Sequence, residues 1–310
     1  MLTIIGDINV DLLMALAEWP LEGGDALAHT VTWSSGGTGI NSAVAVARMG
    51  GQVRLWGRVG NDLAGSQALS IARTVAVDLE AIQHDDQIPT GLCVIPVTAG
   101  GERTFLSYRG ANQYWQSPHD WPTSGGWLHV CGHALLSDPQ KSNAIHALNN
   151  AQQLGWQTSI DLCAPLTLHF GQIINQLTQP LSVLLGNQAE MQAVAAYHDT
   201  AAPICITKKG AMGATIASLG AISHHPAFVV DAIDTTACGD TFASVCVLAL
   251  TQGAPLADAV LVANAAGAIT ASRRGAADIV PSYHEVCALL RLQQQAIPTW
   301  LMKMVQYKHE

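Results

Sequence analysis

Charge is what this chain has least of. Asp, Glu, Lys and Arg make up 12% of its 310 residues, about half the usual share of roughly 25%. Basic residues are the scarcer half: Lys plus Arg number 14 against 23 Asp plus Glu, a formal net charge of −9. Without a basic face, a nucleic-acid binder that works by neutralising phosphates is excluded. Low charge combined with 49% apolar residues excludes intrinsic disorder. Long apolar runs are missing as well. Residues 242–250 give only nine, and 256–272 are interrupted by Asp258 and Asn264, whereas a spanning helix needs about 20; no membrane association is expected. The N-terminus has neither a basic segment nor a small-residue cleavage site, so no signal peptide is expected and the location expected is cytoplasmic. The seven cysteines (93, 131, 163, 205, 238, 246 and 287) are odd in number and form no C-x-x-C, which argues for reduced thiols used as small core residues. There is also no G-x-x-x-x-G-K-[ST] segment, which excludes a P-loop kinase.

What is present is alternation. Short β-branched runs at 2–5, 53–57, 127–131, 158–162, 182–185 and 204–207 read as strands. Between and after them lie helical stretches at 41–49, 66–74, 141–154, 188–197, 240–251, 256–272 and 283–295. This pattern predicts an α/β fold with a central, mostly parallel sheet covered by helices on both faces, in a single domain over 1–310. Residues 11–35 and 89–112 alternate polar and apolar side chains with Gly turns, and predict antiparallel strands in a small β-sheet lid.

The segment Asp234-Thr235-Thr236-Ala237-Cys238-Gly239-Asp240 directly precedes an Ala-rich helix. Small residues at 237–239 let a ligand approach the backbone, and unpaired N–H groups at a helix start favour an anion. Asp240, in the first turn, could accept a proton from a hydroxyl beside that anion. Taken alone, the segment reads equally as a capped helix. Cys238 reads as a packing residue, although a helix N-terminus lowers a thiol pKa. His129, Cys131 and His133 alternate along one strand and share a face. No fourth ligand accompanies them, so Cys131 reads as core and His133 as a border of the substrate cleft. Gly37-Thr38-Gly39-Ile40-Asn41-Ser42 lacks the third Gly of a dinucleotide-binding turn.

Segment 234–240 resembles D-T-x-G-A-G-D, the C-terminal signature of the PfkB/ribokinase family of carbohydrate kinases. Further segments are similar to that family: Gly6-Asp7-Ile8-Asn9-Val10-Asp11, Gly36-Gly37-Thr38-Gly39-Ile40-Asn41, the 57–65 stretch, the lid pieces Glu102-Arg103-Thr104 and Arg109-Gly110-Ala111-Asn112, Asn187-x-x-Glu190, 207–213, Asn264 and Gly275-Ala276. The resemblance spans about residues 1–285. It implies a ribokinase-like fold and an ATP-dependent sugar kinase with Asp240 as base and the amides of Ala237, Cys238 and Gly239 on the transferring phosphoryl group. It places Asn9, Asp11, Gly37, Thr38, Asn41, Arg109 and His133 on the sugar and Asn187, Thr207, Gly210, Gly213 and Asn264 on the nucleotide. Glu190 is placed with Mg²⁺, and Asp234 and Thr236 with a monovalent cation, K⁺. A homodimer through the lid is expected, with Trp19, Leu27, Val31 and Trp33 supplying the apolar face. The partner expected is a small sugar or related polyol.

Two departures bear on the sugar. Where the family often carries D-x-N-x-R, the chain has Asp161-Leu162-Cys163-Ala164-Pro165. Thr38 and His133 stand where ribokinases carry Lys and Glu. A nucleoside kinase of the same fold and a non-catalytic sugar-binding regulator are the alternatives; the retained Asp240 argues against the regulator. Scarce Lys and Arg further imply that phosphate is gripped by backbone amides, a helix N-terminus and Mg²⁺ rather than by a cationic cluster.

Overall fold

The computed structural model describes residues 1–121 and 125–306, so 122–124 and 307–310 of the expected domain lie outside the described residues. The strands are β1 (Leu2–Ile5), β2 (Asn9–Leu16), β3 (Ala28–Gly36), β4 (Val53–Trp56), β5 (Arg58–Gly60), β6 (Gln83–Asp85), β7 (Gly91–Val97), β8 (Leu106–Tyr108), β9 (Trp127–Cys131), β10 (Gln157–Asp161), β11 (Val183–Asn187), β12 (Ile204–Lys208), β13 (Ala214–Ser218) and β14 (Ala221–His225). Eight of them form the main sheet in the order β14-β13-β12-β11-β10-β9-β1-β4. From β4 to β12 every neighbouring pair is parallel; β13 and β14 add an antiparallel hairpin at the edge. The expected mostly parallel sheet is therefore present, and the hairpin is an element the sequence reading did not anticipate.

A parallel sheet is buried on both faces, so its strands are apolar throughout. Along β1, Leu2 and Ile4 point into one core and Ile5 into the other. The first core is closed by Thr38–Arg48, Cys238–Thr251 and Leu256–Ala271. The last two helices are packed closely because Ala243, Ala249, Ala259, Ala263 and Ala266 are fully buried between neighbours. The second core is closed by Gln140–Gln153 and Phe170–Ile174. Each Leu or Ile taken out of water on either side contributes about 1.5–3 kcal/mol. Two expected helices are shorter than the periodicity predicts: 66–74 is split into Leu63–Ala68 and Ser70–Thr74, and 188–197 continues past Gln188–Ala193 only as 3₁₀ turns.

The lid is a separate four-stranded sheet, β3-β2-β7-β8. Its outer pairs are antiparallel as expected, but the central pair β2–β7 is parallel. A parallel pair needs a long crossover rather than a tight turn, and here the chain passes through 17–90, including β3, the Thr38–Arg48 helix and β4, before returning. One lid face stays open, with Leu27, Val31, Trp33 and Leu106 exposed. No helix among the described residues is long and apolar enough to cross a membrane.

Carboxyl ends of parallel strands are where open α/β sheets collect ligands. In this chain that edge carries Asp7 after β1, His133 after β9, Asp161 at the end of β10, Asn187 at the end of β11 and Lys208 at the end of β12. The Cys238–Thr251 helix begins at the same edge, beneath the lid.

Candidate active site

Asp240 lies in the first turn of Cys238–Thr251. Asn41 Nδ2, near the start of Thr38–Arg48, donates to Asp240 Oδ2 at 2.8 Å. Burial pushes the Asp240 carboxyl above the usual range, partly offset by that hydrogen bond and by the charges of Lys208 and His133. Ala237, immediately before the helix, is left-handed with φ 59°. A non-glycine residue there costs about 1–2 kcal/mol, which glycine avoids at the price of a more flexible unfolded chain. Ala237→Gly is therefore expected to fold normally and gain about 0.5 kcal/mol in denaturant unfolding, whereas Ala237→Val, β-branched at a positive φ, is expected to lose stability. The first-turn amide of Gly239 has no intrahelical acceptor, as at any helix start, while the Cys238 amide already donates to the Thr235 carbonyl at 3.3 Å. The lowered thiol pKa that a helix start implies for Cys238 is overturned. Burial, followed by the charges of Asp234 and Asp240, pushes this thiol up to about 12. All seven cysteines are free.

The expected sugar side forms from three backbone segments. Gly37 caps the Thr38–Arg48 helix at φ 89°, and a Cβ there would collide with the Asp7 carbonyl oxygen. Asp11, on β2, lays its carboxylate over Gly36, where any side chain would strike it. Burial, then the charge of Asp240, raises Asp11 to about 7. Asn41 Oδ1 and Thr38 Oγ1 are buried with no hydrogen-bond partner among the described residues. An unsatisfied buried acceptor is costly unless a ligand completes it; a hydroxyl would complete Asn41. Asn9 Oδ1 accepts from Asn112 Nδ2 at 2.9 Å. Asn112, fully buried, also accepts from Ile8 N at 2.8 Å; it is a hub the sequence reading quoted only as part of a motif. Arg109 is held inside the protein: its Nε and Nη2 donate to Asp7 at 2.9 Å each, Nη1 donates to Ser137 at 2.9 Å, and Nη2 also donates to Gln140. His133 sits in the 3₁₀ turn after β9. His129 and Cys131 are core: His129 Nδ1 pairs with Ser159 Oγ at 2.9 Å, and no group of three or more His, Cys, Asp or Glu suited to a metal occurs among the described residues.

The expected nucleotide side lines β11 to β13. Asn187 and Glu190 form a capping box: Asn187 Oδ1 accepts from Glu190 N at 2.9 Å and Glu190 Oε2 accepts from Asn187 N at 2.8 Å. Glu190 keeps Oε1, so the pair fits a hydrated Mg²⁺ that takes its remaining ligands from water and phosphate. Thr207 lies on β12; Gly210 and Gly213 sit at φ 56° and 85° in the turn to β13, where Lys209 N donates to Gly213 O at 2.7 Å. A side chain at Gly213 would strike the His225 carbonyl oxygen, and Asn264 Nδ2 ties the same corner by donating to His225 O at 3.3 Å and Pro226 O at 3.1 Å. Lys208, quoted in the 207–213 motif without a role, points into the cleft. Its Nζ donates to both oxygens of Asp161, at 2.6 and 2.8 Å.

Asp234 is buried beneath the same loop. Its Oδ1 accepts from Thr236 N at 2.9 Å and its Oδ2 from Gly275 N at 3.1 Å. Arg103, from the lid, reaches across to donate to Asp234 Oδ1 and, at 3.2 Å, to Thr236 Oγ1. Burial alone would raise the Asp234 carboxyl, but hydrogen bonds from Thr236 and Gly275 and the Arg103 charge hold it below the usual range. A guanidinium thus lies against Asp234 Oδ1 and Thr236 Oγ1, the pair expected to hold a monovalent cation.

This constellation can be set beside known proteins. A fructokinase of Klebsiella pneumoniae is 29% identical over 303 residues, covering 90% of this chain and 95% of that protein. The structure of a fructokinase from Vibrio cholerae O395 in a fructose-, ADP- and calcium-bound form is 26% identical with a TM-score of 0.76, covering 93% and 98% of the two chains. That of Arabidopsis thaliana ribokinase complexed with ribose and ATP is 22% identical with a TM-score of 0.79, covering 94% and 98%, and shows the same fold. The family model described as pfkB family carbohydrate kinase matches residues 1–282. The fold is ribokinase-like, and the chain belongs to the pfkB family of carbohydrate kinases, phosphotransferases acting on an alcohol group.

Proposed function

We propose that this protein transfers the γ-phosphoryl group of ATP to a primary hydroxyl of a small carbohydrate, with Asp240 as the base. The observation that carries the reading is the pairing of Asp240 with Asn41 at 2.8 Å beside Asp11, at the start of a helix whose amides open toward the same space. Asp11 and Asn41 hold hydroxyls of the sugar. Asp240 takes the proton of the attacking hydroxyl as its oxygen bonds to phosphorus and the bond from phosphorus to ADP breaks. The amides of Ala237 and Gly239 face the charge on the transferring group; the Cys238 amide, spent on Thr235, holds the loop in shape. When bound, Mg²⁺ would neutralise phosphate charge beside Glu190. The lid excludes water, which suppresses hydrolysis of ATP without a sugar. Its open apolar face supports a homodimer of the full chain, which sedimentation reads directly.

D-Fructose is the first candidate, because a curated relative and a solved structure are named fructokinase. The test is ADP release across D-fructose, D-ribose, inosine and no acceptor, with MgATP throughout. Release with a sugar well above the acceptor-free rate is expected. Release with inosine alone would make the chain a nucleoside kinase, and sugar binding without ADP release would make it a regulator.

A further inference from the structure

Lys208 brings a cationic side chain to the start of the Cys238–Thr251 helix. It ends β12 in a largely enclosed position, its side chain 13% exposed. Its Nζ is placed by the Asp161 pair and by its nearness to Gly239. Asp161, at the end of β10, takes two of its N–H groups at 2.6 and 2.8 Å. From the other side, a Cβ built on Gly239 would lie 3.4 Å from the same nitrogen and would meet no other atom within 4 Å outside its own stretch of helix. The ammonium therefore lies on the side of Gly239 that a side chain would occupy, at a residue whose first-turn amide has no intrahelical partner.

An ammonium carries three donors, and Asp161 uses two. Asp161 and the neighbouring Asp240 and Glu190 keep Lys208 charged despite its burial. A buried ion pair is a weak source of stability, since a well-packed apolar pair often serves as well, so stability alone does not account for it at this position. The contacts place a fixed positive charge beside the backbone that faces the transferring phosphoryl group.

We propose that Lys208 is a further residue of the phosphoryl-transfer site, with Asp161 as the residue that positions it: the ammonium contacts the γ-phosphoryl group held at the Gly239 amide. This rests on the kinase reading above. It also revises the expectation that amides, a helix N-terminus and Mg²⁺ grip the phosphates without a cationic side chain.

The test is calorimetric titration of the full chain with MgATP and, separately, MgADP, alongside kcat. For Lys208→Met the proposal expects at least tenfold weaker MgATP binding, MgADP binding within about twofold of native, and kcat reduced on the order of a hundredfold; Lys208→Arg should recover part of each loss. Asp161→Asn keeps the ammonium but loses the carboxylate that positions it, and is expected to fall between native and Lys208→Met in its preference for MgATP. If Lys208→Met weakens both nucleotides equally or neither, or if Asp161→Asn leaves the preference for MgATP at its native value, the proposal is overturned. The native chain separates the two readings: if it binds neither nucleotide, the kinase reading itself fails, whereas native binding with unchanged MgATP affinity in Lys208→Met removes only the lysine.

Discussion

Asp240→Asn is expected to lower kcat by about 10²- to 10⁴-fold, the range that a positioned proton acceptor supplies, with little change in sugar affinity. Asparagine has nearly the same shape and can still accept from Asn41 Nδ2, so the geometry survives and only basicity is lost. Stability moves the other way. Burial raises the Asp240 carboxyl, so its ionisation opposes folding at neutral pH, and that opposition disappears as pH falls through the folded pKa. The amide variant is thus expected to be as stable as the native chain or more so at pH 7 while being nearly inactive. The native base works ionised, so kcat should fall on acidification through a pKa above the ordinary carboxylate range. Turnover of the variant close to native would mean that another group takes the proton.

The second large effect is on sugar binding. Asp11→Ala removes the carboxylate proposed to accept hydroxyls of the sugar, and hydrogen bonds to a charged group contribute about 1.5–3 kcal/mol each. KM for the sugar is expected to rise by on the order of a hundredfold or more, with KM for MgATP nearly unchanged. The same residue predicts a pH signature. Burial and the Asp240 charge bring Asp11 to about 7, so its ionised fraction falls by roughly tenfold between pH 8 and pH 6. The native KM for the sugar should rise by about that factor over this range, while that of Asp11→Asn stays flat. A native KM that does not move between those pH values would show that Asp11 does not hold the sugar as an anion.

Much of the fold was legible because its signals are local. Short apolar runs, Ala-rich helices and alternating lid segments each announce themselves within ten residues. The parallel pairing of β2 with β7 was not legible, because it depends on where the chain travels between 17 and 90 rather than on the pattern within either strand. The β13–β14 hairpin was missed for a related reason: much of it is solvent-exposed, so it lacks the apolar run that marked the core strands. In the site, Asp240, Asn41 and Asp11 could be assembled from motifs even though the Asn41–Asp240 hydrogen bond spans 199 residues. Lys208 and Asp161 could not. They are 47 residues apart, on strands separated by β11, and neither belonged to a pattern that required the other. Arg103 and Asp234, 131 residues apart, meet only because the lid folds over the helix start. Cys238 shows the converse error, where a sound local argument from the helix terminus is overridden by burial and by two neighbouring aspartates.

The central claim is phosphoryl transfer to a sugar hydroxyl at Asp240, and product stoichiometry tests it most directly. Native chain, MgATP and D-fructose or D-ribose would be incubated at pH 8, with ADP quantified and the sugar product identified by mass. One phosphorylated sugar per ADP is the predicted result, with only trace ADP when the sugar is left out. ADP accumulating equally with and without sugar, or saturable sugar binding with no phosphorylated product from any member of the panel, would contradict it.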